Sequence, residues 1–167
     1  MSSPEPARDL LRHTVATLAY RAEKAVRHAP DGFADFRVSA ASRTPVEIMG
    51  HLADLMDWAV RMAQGEYRWT AGPAADWAST CDRFFAGLWS LDQALTTSTF
   101  EVHSADMIFQ GPIADALTHV GQLAMLRGAA GAPVRPESYA RAEIRAGRVG
   151  REQSAVRKEF DGDASKR

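Results

Sequence analysis

Four long stretches of this chain place apolar residues three and four positions apart, and none keeps the strict alternation that a half-buried strand requires. Leu11, Val15, Leu18, Ala22 and Ala25 form one stripe between Ala7 and His28, closed by Pro30 and Gly32. A second stripe, Ile48, Leu52, Leu55, Ala59 and Met62, follows Thr44-Pro45-Val46-Glu47. There Thr44 can cap, proline suits the first helical position and Glu47 completes a capping box, which predicts a helix from Pro45 to Gln64 ended by Gly65. Trp77, Cys81, Phe84, Leu88, Leu91 and Leu95 mark a third helix on the same period. After a short turn capped by Ser104, Gly111-Pro112 opens a fourth with the stripe Ile113, Leu117, Val120 and Ala124, and Gly128 and Gly131 punctuate its end. The expectation is an all-α protein, a four-helix bundle.

A chain of 167 residues, 46% of them hydrophobic, can bury a core without disulfides or a structural metal, so any metal would serve function. Its 20 basic and 21 acidic side chains leave no basic footprint for a phosphate backbone, which argues against nucleic acid as a partner. The single cysteine, Cys81, permits no intrachain disulfide and fits a cytoplasmic setting; on its helical stripe it reads as core, not as a reactive thiol. The start, MSSPEPARDL, carries neither a basic nor an apolar targeting segment, and the longest stretch free of charge, Ala116 to Leu126, is too short for a membrane span. Residues 1–150 are expected to form the bundle with an extended C-terminal segment packed on it through Tyr139, Ile144 and Val149. Residues 151–167, in a region with nine Lys or Arg against six Asp or Glu from 135 on, are expected to be a disordered basic tail.

The residues that could carry chemistry stand at the edges of the stripes. His51 lies three residues from Ile48 and four from Leu55, so it borders the buried face of its helix. Asp115 and His119, four residues apart, lie about 40° apart around a helix axis and can converge on one point. Each has a plainer explanation: a hydrogen-bonded core-edge histidine for His51, the helix dipole for Asp115, a cross-bundle hydrogen bond for His119. Antiparallel packing that sets the middle of the second helix beside the start of the fourth would bring all three to one cavity. Two imidazoles and a carboxylate suit zinc, nickel, iron or manganese better than calcium or copper(I), and three protein ligands leave positions open for water or a small-molecule substrate. Gln122 could serve a bound water; Glu47 could be a second partner or a base, although the capping box already explains it. Dinucleotide, P-loop, GxSxG and HExxH patterns are absent.

Thr44-Pro45-Val46-Glu47-Ile48-Met49-Gly50-His51-Leu52, the run from Gln110 through Asp115 and His119 to Leu123, and the helix order across residues 8 to 130 resemble the DinB/YfiT-like superfamily of bacterial four-helix proteins. The resemblance implies a divalent metal held by one histidine of the second helix and an H-x3-H pair on the fourth, the latter often followed by glycine and glutamine. His51 matches the first ligand and His119, ahead of Gly121-Gln122, the last; Asp115 stands where that family has histidine, a change that makes the site harder and more anionic. The resemblance also implies homodimers and, in some relatives, transfer or isomerisation reactions that use low-molecular-weight thiols such as mycothiol, bacillithiol or glutathione. Three readings follow: a metal-dependent enzyme, a thiol transferase or hydrolase, acting on a small substrate; a non-catalytic metal- or ligand-binding homodimer of stress response; and a bundle whose polar trio is only a hydrogen-bonded network.

Overall fold

Thr44 makes the capping box the sequence predicts: its hydroxyl accepts the Glu47 N–H at 3.3 Å while its own N–H donates to Glu47 Oε2 at 2.7 Å. With Pro45 at the first position, this launches α2, Pro45–Ala63, whose stripe from Ile48 to Met62 is buried. The structure, a computed structural model, describes residues 4–160. It is all-helical, with no strand among those residues. The first rod, α1, spans Pro4–Val26 and buries its expected stripe. The third, α3, spans Trp77–Thr97, starts where Asp76 accepts the Ser79 N–H at 2.9 Å, and buries Cys81 among Phe84, Leu88 and Leu91. Thr44→Ala removes one half of the capping box, and a loss of about 1 kcal/mol is expected in urea unfolding.

The fourth rod differs from expectation at its start. It begins at Ser104, whose hydroxyl accepts the Met107 N–H at 3.3 Å, and runs as α4, Ala105–Ile108, through a π-helical turn, Phe109–Ile113, into α5, Ala114–Ala129. Pro112 therefore lies inside the helical path and does not open it. Proline has no N–H to give and its ring crowds the preceding turn, so the ladder widens there to i→i+5 and then resumes. The register of α5 follows from that widening. Its buried face is Ile113, Ala116, Val120, Leu123 and Leu126, while Leu117 and Ala124 of the expected stripe are only half-buried.

In the core, α2 packs against α3 and α5, and α1 packs against the same two, so α1 and α2 lie diagonally across it. The α2–α5 contact is what sets the middle of one helix beside the start of the other. Arg127, near the end of α5, is buried and closes the end of α1. Its guanidinium donates to the carbonyls of Ala25, Arg27 and His28 at 2.9, 2.9 and 3.2 Å, oxygens that a helix C-terminus leaves without partners.

Past Gly131, which takes the left-handed φ of 78° that ends a helix cheaply, the chain straps across α1 and α5. Val149 is buried, Ile144 packs on the core and the Tyr139 ring meets Tyr20 edge-on. The disordered tail expected from Arg151 is corrected over its described part. Arg151 pairs with Asp82 at 2.7 Å, Arg157 with Glu23 at 2.6 Å, and Glu159 with Lys24 at 3.0 Å and Arg27 at 2.7 Å. Glu159 also forms an antiparallel bridge with Glu137. The basic residues that suggested a solvated end are spent on carboxylates of α1 and α3, pairings too distant in sequence to leave a local signal. Residues 161–167 of that expectation lie outside the described residues. No helix among the described residues is long and apolar enough to cross a membrane.

Candidate metal centre

The site is built where α2 and α5 meet. His51, two turns into α2, carries Ile48 and Leu52 on the buried side and turns its ring toward α5. Asp115 sits in the first turn of α5, directly after the π turn, and His119 follows one turn later. Asp115 Oδ2 lies 3.3 Å from His51 Nε2, Asp115 Oδ1 lies 3.4 Å from His119 Nε2, and the two imidazoles meet edge-to-face with centroids 4.7 Å apart. One donor atom from each of the three side chains falls within 4.8 Å of the others. The histidine side chains are 23% and 12% exposed, against 47% for Asp115, so the carboxylate forms the rim and the imidazoles the floor. All three residues singled out in the sequence thus converge.

Two observations decide what the trio can hold. First, His119 Nδ1 donates to Gln122 Oε1 at 2.8 Å, so Nε2 is the ring nitrogen turned toward Asp115. Second, burial pushes the His51 ring below its ordinary pKa by more than its hydrogen bond to Asp115 raises it, and His119 and Arg43 push the same way. A neutral imidazole is the form that ligates. The two carboxylate oxygens reach one ring each, so Asp115 stands between the imidazoles with a donor turned to either side. The residues fit a divalent cation.

Gln122, read in the sequence as a partner for water, instead fixes the tautomer of His119. Gln122→Leu is expected to weaken zinc binding about ten- to a hundredfold, while Gln122→Glu, which still accepts from Nδ1, retains it; competition with a chelating dye reads both. Glu47 takes its structural role. Hydrogen bonds from Thr44 hold its carboxyl below the ordinary carboxylate range, and Arg37 pairs with it at 3.2 Å. Cys81 is 1% exposed and burial pushes its thiol up to about 12, so no nucleophile comes from this cysteine. Sequence reasoning missed the aromatic shelf beside the site. Trp69, on the loop after α2, lies 5.7 Å from the His51 ring and 5.8 Å from Trp58, which in turn meets Tyr67 at 5.6 Å. Tyr67 and Trp69 are separated from His51 by most of α2, and only the folded loop brings them over it.

No protein-family model, no curated protein and no solved structure matches this chain.

Proposed function

We propose that this chain is a DinB/YfiT-like four-helix protein that binds a divalent metal through His51 Nε2, Asp115 and His119 Nε2, and that it uses the metal to activate water or a low-molecular-weight thiol against a small substrate. The observation that carries the reading is the Gln122–His119 hydrogen bond, because with Nδ1 engaged it presents Nε2 to the Asp115 carboxylate. Two imidazole nitrogens flanking a carboxylate offer three donors to a divalent cation that displaces the ring proton shared with Asp115. Zinc, nickel, iron and manganese match the donor set.

When bound, the ion supplies Lewis acidity that lowers the pKa of a coordinated nucleophile and polarises an electrophile. The protein's own part is positional. His51 and His119 form the floor, Asp115 offsets one positive charge at the rim, and Trp69 flanks the His51 ring. The open rim admits a substrate. With Cys81 sealed in the core, a thiol nucleophile would arrive as a cosubstrate. The homodimer belongs to the same proposal and is read directly by sedimentation.

The test is reconstitution of chelator-stripped protein with zinc, nickel, manganese or iron, followed by a panel of thiols and electrophiles. One equivalent of ion and a turnover that disappears in His119→Ala support the enzyme. One equivalent of ion without any such turnover leaves a non-catalytic metal-binding protein. No stoichiometric ion with any of the four overturns both readings and leaves a hydrogen-bonded network.

A further inference from the structure

Two shallow cavities open on either side of the His51–His119 pair. One, of about 410 Å³, is lined by His51, Glu47, Asp54 and Arg83; the other, of about 370 Å³, is lined by His119, Gln122, Val38, Ile48, Met125 and Leu126. Both volumes fall in the range of small-molecule sites, about 300–1,000 Å³. Arg43 is the one residue that lines both. It is also the odd cation of the region. Arg37 is paired with Glu47, and Arg83 with Asp54 and Asp57, whereas no carboxylate among the described residues lies within ion-pair reach of Arg43.

The His119 cavity adds a second, independent feature. Val38 and Met125, which border it with Arg43, are 58% and 64% exposed. Apolar side chains left this open beside a pocket gain by being covered, at roughly 25 cal/mol for each Å² removed from water. A free guanidinium, an apolar wall and the metal centre therefore share one small recess.

We infer that this recess selects a small amphiphilic anion: Arg43 holds its acidic group, Val38 and Met125 cover its apolar part, and the ligand lies against the metal centre at His119. The assignment deepens the proposed function, and rests on it for which end of the ligand meets the ion. A guanidinium presents paired N–H donors to carboxylate, phosphate or sulfonate oxygens, geometry that an ammonium cannot copy. Cations are disfavoured twice, by Arg43 and by the ion. A neutral analogue forgoes the charge-assisted hydrogen bond.

The experiment is calorimetric titration of the full-length chain, zinc-loaded and zinc-free, with octanoate, octyl phosphate, octanesulfonate, octanamide and octylamine. The anions are expected to bind about tenfold or more tightly than the amide, with the amine weakest, and the order among the three anions identifies the acidic group. Arg43→Ala removes that advantage, Arg43→Lys restores part of it, and zinc affinity stays within about twofold in both, since Arg43 is not a ligand. Met125→Ser, at an exposed position, lowers octanoate affinity while leaving acetate unchanged. Equal binding of amide and octanoate, an undiminished anion preference in Arg43→Ala, or no binding of any anion overturns the inference. Arg43-dependent binding to a chain that takes up no zinc overturns the metal reading instead and leaves the anion recess standing.

Discussion

His119→Ala protein is expected to bind zinc about a hundredfold or more weakly than the native chain, the largest functional effect of any single substitution in this site. The substitution removes a nitrogen whose ring is already oriented by Gln122, so a flexible replacement ligand such as water must be ordered in its place. Asp115→Ala should cost less. That carboxylate is half-exposed at the rim, where solvent oxygen can substitute for it. Asp115→His moves the site toward three imidazoles and is expected to tighten zinc while loosening manganese, because nitrogen donors favour the softer ion. Chelator competition with both metals measures all three variants. If His119→Ala binds zinc as the native chain does, the ion is held elsewhere.

The largest effect on stability is expected where the C-terminal segment packs on α1. Lys24 is 2% exposed and meets Glu137, whose side chain is fully buried, at 2.5 Å; the Tyr20 hydroxyl donates to the other oxygen of the same carboxylate, and Glu159 lies 3.0 Å from the ammonium. Lys24→Met leaves the Glu137 carboxylate without its cation in a place water does not reach, while Glu159 keeps Arg27, and a loss of about 3–5 kcal/mol in urea unfolding is expected. Lys24→Met with Glu137→Met should lose less than the sum of the single changes, since the buried charge goes with its partner. Burial alone would raise the Glu137 carboxyl, but hydrogen bonds from Lys24, Tyr20 and the Lys158 N–H together hold it below its ordinary value. Its ionised form is thus favoured by folding. That contribution is complete above the unfolded-state value of about 4.3 and fades as the pH falls through the lower folded value. Urea midpoints between about pH 6 and pH 3 should therefore drop less steeply in Glu137→Gln than in the native chain. The Tyr20 hydroxyl, pushed up to about 12 by burial and by donation to Glu137, stays protonated throughout.

The contrast between these two regions shows what a sequence can disclose. The stripes of α1, α2 and α3 are local and periodic, and they bury as their spacing predicts except at Trp77, which is half-buried at the start of α3. The Thr44–Glu47 box is equally local. His51, Asp115 and His119 were legible because each sits at the border of such a stripe and two of them share a helix face. The start of the fourth rod was not, since Gly-Pro looks like an opening and only the packing of α4 and α5 on their neighbours stabilises a π turn around Pro112. The half-buried Leu117 and Ala124 follow from that shifted register. Lys24 with Glu137, Arg127 on the end of α1, and Arg43 between the cavities depend on residues brought together from far apart in the chain. No spacing rule marks them. The same lack of signal led the segment from Arg151 to be read as a free tail.

X-ray absorption at the zinc edge of the reconstituted chain reads the ligand shell itself. The account predicts two imidazole nitrogens at about 2.0–2.1 Å with a carboxylate oxygen at about 2.0–2.2 Å, and loss of one imidazole in each of His51→Ala and His119→Ala. A shell of oxygen donors alone, or a histidine signal unchanged by either substitution, would contradict it.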